Sequence, residues 1–248
     1  MPRTIIRVAA PLALAAMLGV ACGDDGSSSA AETGQAPETT EAPDSTETTH
    51  EEMGGGDTAG DPTATPAADL RSGLTALLQE HVYLAGIAIN QAVADGGDLE
   101  APATADAVAT LDGNSVALSE AIASVYGPEG GEQFLALWRA HIGFFVEYTL
   151  GGATGDADAQ AAARQQLDDY RADFGAFVDS ATGGNLPADA VAAELQVHVD
   201  TLITAIDAIL AGDPQVYGLL ADAASHMPGT AAALASAIAT QMPDTFGS

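Results

Sequence analysis

Three stretches of this chain repeat one helical signature, and their spacing narrows the folds open to it. Each holds an apolar residue, two further residues, then a histidine followed by an apolar residue. They read Leu78-Gln79-Glu80-His81-Val82, Trp138-Arg139-Ala140-His141-Ile142 and Leu195-Gln196-Val197-His198-Val199. The histidines stand 60 and 57 residues apart. A second series follows at matching offsets: Leu111, Leu118 and Ile122 correspond to Leu167, Phe174 and Val178, and again to Met227, Leu234 and Ile238. A recurring unit of this length with two helical segments reads as a helical hairpin, repeated three times.

Strict apolar–polar alternation is absent, whereas apolar residues recur at helical spacing, so the expected fold is all-α. Six helices are predicted, over about 69–94, 103–125, 129–150, 156–180, from Pro187 to Gly212, and 215–242 with an interruption near Pro228-Gly229. Glycine at the stops and proline or aspartate at the starts follow helix-end chemistry. Each histidine falls on the apolar stripe of its helix. Leu77, Leu84, Ala85 and Ala88 accompany His81; Phe144, Phe145 and Tyr148 accompany His141; Leu202, Ala205 and Ile209 accompany His198. The expected architecture is an antiparallel bundle of three hairpins occupying 69–248.

Charge excludes several functions. The chain has 35 acidic residues against 6 basic ones, all arginine, for a net charge of −29. Nucleic-acid binding requires clustered Lys and Arg to neutralise phosphates, and no nucleic-acid partner is expected here. Without lysine there is no Schiff base and no P-loop. One cysteine permits neither an internal disulfide nor a thiolate-rich metal site.

That cysteine sits at the end of a leader. Arg3 and Arg7 precede an apolar run over 8–21, broken by Pro11, which is short for a membrane span of about 20 residues and suits a secretory signal. The sequence Leu18-Gly19-Val20-Ala21-Cys22 resembles the lipobox of bacterial lipoproteins, with Gly19 where leucine is usual. The reading is a lipoprotein signal peptide over 1–22 with Cys22 as the lipidation site; an ordinary secretory signal is the competing reading. Two acyl chains suffice for stable anchoring. The acidic chain would then be held at the membrane by lipid alone, because anionic headgroups repel it.

Residues 23–68 contain 11 acidic side chains, no basic one, and clusters of Thr, Ser, Gly and Pro. Such a composition buries too little apolar surface to offset chain entropy, and a disordered tether is expected. A coil of this length reaches roughly 35–40 Å. His50, beside Glu51 and Glu52, reads as a solvated tether histidine.

A family resemblance rests on residues 111–127 and 137–149. Leu111-Asp112-Gly113-Asn114-Ser115-Val116-Ala117-Leu118-Ser119, Ala121-Ile122-Ala123-Ser124-Val125-Tyr126-Gly127 and Leu137-Trp138-Arg139-Ala140-His141-Ile142-Gly143-Phe144-Phe145-Val146-Glu147-Tyr148-Thr149 resemble a group of exported all-helical bacterial lipoproteins. Some members carry an appended copper amine oxidase N-terminal-like domain, for which this chain offers no candidate. The resemblance implies the helical fold and export. It implies no activity, and the amine oxidase label does not transfer.

The histidines carry what chemistry there is. Imidazole is the commonest nitrogen ligand, and bundles build metal sites from facing helices. The candidate set is His81, His141, His198 and His226, binding copper, iron or haem, with Asp112, Glu147, Asp200 and Met227 as outer partners. The alternative is a set of buried structural histidines, each bonded to a carbonyl or carboxylate. The paired Glu-x-x-His of di-iron bundles, His-Glu-x-x-His and Cys-x-x-Cys-His are all absent. Asp156, Asp158, Asp168 and Asp169 read as solvated, since no EF-hand spacing is present. Ser119 and Ser225 lack a nucleophile elbow. Arg139 and Glu147 are expected to pair structurally. Tyr83, Tyr126, Tyr148 and Tyr170 are expected to pack with bonded hydroxyls.

The expected protein is a lipid-anchored, exported domain outside the cytoplasm, with a non-catalytic binding or envelope-support role and an unidentified protein or small-ligand partner. Metal binding is the sharper alternative, and an enzyme the third. Replacing Cys22→Ala is expected to release the protein into the medium on cell fractionation; retention of the variant in the membrane fraction would contradict lipidation.

Overall fold

The computed structural model describes residues 63–247, and within them every regular element is a helix. The leader over 1–22 with Cys22, His50, and all but the last residues of the predicted tether lie outside the described residues. The helices are α1 (Pro66–Ala94), α2 (Pro102–Thr154), α3 (Ala157–Ala181), α4 (Ala188–Ala211), α5 (Val216–Ser225), α6 (Met227–Gln241) and a short α7 (Pro243–Phe246). No described helix is long and apolar enough to cross a membrane.

Local chemistry explains the boundaries. Thr65 caps α1, its side chain accepting from the Ala68 amide at 3.2 Å, with Pro66 in the first turn. The helix therefore begins three residues before the predicted start at Asp69. Asp156 caps α3 in the same way, accepting from the Ala159 amide at 3.0 Å. These side chains satisfy amides that have no partner within the helix.

The second and third predicted helices are two arms of α2, meeting at Gly127, where φ is 81° and ψ 172°. Only glycine takes that backbone without strain, and Pro128 removes an amide from the next turn. The arms fold together closely: the Ser119 hydroxyl donates to the Gly131 carbonyl at 3.0 Å. One predicted stop is misplaced. Gly151 and Gly152 do not end the helix, which continues to Thr154 and closes on Gly155 in the left-handed region. They serve close packing instead: a Cβ on Gly152 would lie 2.5 Å from Leu210 Cδ1.

Helix α1 runs through the middle of the bundle, touching α2, α4, α5 and α6, while α2–α3 and α3–α4 pack as sequential neighbours. The matched repeat positions face inward. Leu111, Leu167 and Met227 are all buried, as are Leu118 and Phe174, and Ile122, Val178 and Ile238. Two main clusters form the core. One gathers Phe134, Trp138, Tyr170 and Phe174 with Leu74 and Leu78 of α1. The other gathers Phe145, Tyr148 and Leu167 with Leu202 and Ile206 of α4.

The glycines differ sharply in what they permit. A Cβ on Gly175 would lie 2.5 Å from the Ala188 carbonyl oxygen, whereas Gly73 has open space on an exposed face of α1. Gly175→Ala is expected to destabilise by about 1–3 kcal/mol through forced helix separation. Gly73→Ala is expected to stabilise by about 0.5–1 kcal/mol. Urea unfolding of both variants measures this, and equal effects would contradict the close α3–α4 approach.

Candidate metal centre

The first helix of each hairpin delivers one histidine to the interior. His81 comes from α1, His141 from the second arm of α2, and His198 from α4. All three are buried, and one donor nitrogen from each lies within 4.8 Å of the others. The ring centroids of His81 stand 5.5 Å from His141 and 6.5 Å from His198. His226, at the break between α5 and α6, is half-buried, with its ring 5.9 Å from that of His198. It flanks the cluster and is not one of the three converging donors.

Aromatic side chains enclose the imidazoles. Trp138 stands 4.8 Å from His81 and 4.6 Å from His141, and Tyr170 stacks on His141 at 5.0 Å. Phe145 lies 6.1 Å from both His141 and His198. The histidines thus touch both core clusters.

Hydrogen bonds are missing where a structural role would require them. Nδ1 of His81, Nδ1 of His141, both nitrogens of His198 and Nε2 of His226 have no partner, nor do Trp138 Nε1, Tyr170 OH and Thr230 Oγ1. Buried polar atoms are nearly always bonded, and each orphan costs about 1–3 kcal/mol. Several of these unpaired atoms belong to the histidine cluster and to the aromatic rings packed against it.

Burial also fixes the charge state. Desolvation lowers His81 to about 4, against a smaller upward pull from Asn114. His198 is lowered to about 3 by desolvation and then by the His81 and His226 imidazoles. His141 falls well below its usual value for the same reasons, with neighbours His81 and His198. His226 is lowered mainly by desolvation, offset by the Asp222 backbone and Glu194. Neutral imidazole is the form that ligates metals.

A cavity of about 180 Å³ adjoins the cluster, bounded by His81, Trp138, His198, Met227 and Thr230, with Glu194 exposed at its rim. A smaller one of about 60 Å³ also touches His81.

The expected outer partners divide. Met227 is buried and shares the cavity with His81 and His198. Asp112 instead accepts from Arg139 at 2.7 and 2.8 Å on the exterior, and Asp200 faces outward to Arg164 at 3.3 Å. Glu147 is exposed, and the predicted Arg139–Glu147 pair is replaced by Arg139–Asp112. The tyrosines also divide. Tyr148 donates to Asp207 and Tyr126 to Gln241, each at 2.9 Å, whereas the Tyr170 hydroxyl is unpaired. Asn114, which ties α2 to α1 through the Leu77 carbonyl and the Glu80 carboxylate, carried no sequence signal beyond its place in a helix.

These histidines predict an acid-sensitive fold. Their folded values lie below the unfolded value of about 6.5, so the unfolded chain binds more protons between about pH 6.5 and 4 and stability falls on acidification. Each group contributes up to about 1.4 kcal/mol per pH unit. Urea unfolding of the metal-free chain between pH 6.5 and 4.5 is expected to show this slope, reduced by about one proton in His141→Phe. A flat profile would contradict buried neutral imidazoles. No protein-family profile, curated protein or solved structure matches the chain, so the reading of this centre rests on its own geometry.

Proposed function

We propose that this is an exported, lipid-anchored protein whose helical domain holds one transition-metal ion, copper first, on His81, His141 and His198. The observation that carries this reading is the convergence of three buried imidazoles, one donor nitrogen of each within 4.8 Å of the others, and each with at least one unpaired nitrogen. An ion centred among donors at that separation lies at most about 2.8 Å from each, so shifts of roughly 0.7 Å give bonds of about 2.0–2.1 Å. Rotations about the imidazole side-chain torsions supply movements of that size.

The surroundings favour copper within the nitrogen-preferring metals. No carboxylate joins the three donors among the described residues. A dry interior penalises each unit of net charge, so a monovalent ion is held at lower cost than a divalent one. The thioether of Met227 in the same cavity adds a soft donor, which suits Cu(I). Iron bundles draw on carboxylates, and the cavity falls below the roughly 300 Å³ of pockets for drug-sized ligands, which argues against haem. The acidic exterior concentrates cations near the surface. Capture or storage of copper outside the cytoplasm, without catalysis, is the role this combination supports.

The test uses the full chain, stripped of metal, titrated anaerobically with Cu(I) against a chromophoric chelator. One equivalent is expected to bind, quenching Trp138, the chain's single tryptophan. The melting temperature is expected to rise with ligand concentration. His141→Gln is expected to weaken binding at least 100-fold and to abolish quenching while helicity is retained. Failure of the wild-type chain to compete with the chelator would reject the proposal.

A further inference from the structure

We propose that the larger cavity is itself a binding site, for a small uncharged molecule that is mostly apolar and carries one polar end, such as an aromatic alcohol. Its walls come from five helices, with Leu74 on α1, Leu118 on α2, Phe174 on α3, Val191 on α4 and Leu234 on α6. Its volume of about 180 Å³ exceeds that of a cavity of about 150 Å³, lined by Leu, Ile and Phe, that stays dry and takes benzene.

Several of the lining residues also carry polar atoms without a partner, which suits a polar end on the ligand. Trp138 Nε1, Thr230 Oγ1 and both nitrogens of His198 are unpaired. A metal ion held by the histidine cluster would use one nitrogen of His198 and leave the other, with the indole and hydroxyl, free to meet a ligand oxygen. Charge restricts the class further. No Lys or Arg lines the cavity and Glu194 stands at its rim, so a carboxylate would enter without a cationic partner. The apolar walls disfavour a cation for the same reason of desolvation. Ala190 and Ala233 keep the space open where a larger apolar residue would fill it.

The site needs no metal, and its test is run on the full chain after treatment with a chelator and without detergent. Benzyl alcohol is titrated while Trp138 emission and melting temperature are followed, with benzoate as the charged counterpart. Saturable one-to-one binding of benzyl alcohol is expected, at least 10-fold tighter than benzoate. Ala233→Phe is expected to melt at or above the wild-type temperature and to lose the response at least 10-fold; Ala190→Phe provides the same block from α4 should the first variant fail to fold. A non-saturating wild-type response, equal binding of benzoate, or an unchanged response in the folded blocking variant would overturn the proposal. A chain that binds benzyl alcohol but no copper keeps this site and removes the metal one; the reverse result does the opposite.

Discussion

Three buried imidazoles gathered in an apolar bundle, each with at least one unpaired nitrogen, are the constraint on which the rest of this structure depends. Burial at this depth keeps them neutral, and neutrality lets them approach without charge repulsion. The unpaired nitrogens together cost a few kcal/mol, against a typical stability of about 5–15 kcal/mol. This cost is what supports the proposed ligand site over a purely structural role for the three histidines. A bound ion would offset the cost by mass action and link stability to metal concentration.

The bundle supplies these residues by repetition. Each hairpin contributes its first helix with a histidine at the same register, and its second helix closes the core with Leu111, Leu167 or Met227. Helix α1, in contact with α2, α4, α5, α6 and α7, sets His81 beside Trp138 and His141. The sharp fold at Gly127 and Pro128 turns the second arm of α2 so that His141 reaches the same level. The exterior is built on different terms. Its ion pairs, such as Arg139 with Asp112 and Arg164 with Asp200, are about half exposed, and such pairs contribute little to stability.

Helical periodicity made the helices, the break at Gly127 and the inward stripe legible from residues alone. The register of the three histidines was legible for the same reason, since equal offsets in repeated hairpins place side chains at equal depth. Side chains nearby in sequence but off the stripe were not placed correctly. Asp200 lies two positions from His198, and about 100° per residue carries it to the opposite face. Glu147, six positions from His141, likewise points out. Asp112 follows buried Leu111 and turns to Arg139. Gly151 and Gly152 looked like a stop because glycine commonly ends helices, yet here close contact with Gln160 and Leu210 selects them. The tryptophan and tyrosine around the cluster, and Thr230 on the cavity wall, are assembled from separate helices and leave no local pattern.

X-ray absorption at the copper edge of the loaded full chain tests the central claim most directly, because it reads the ligands around the ion itself. Three imidazole nitrogens at about 2.0 Å are predicted, with the ring-scattering pattern diminished by one imidazole when His81, His141 or His198 is replaced. A shell made of carboxylate or water oxygens, or one unchanged by those replacements, would contradict the account.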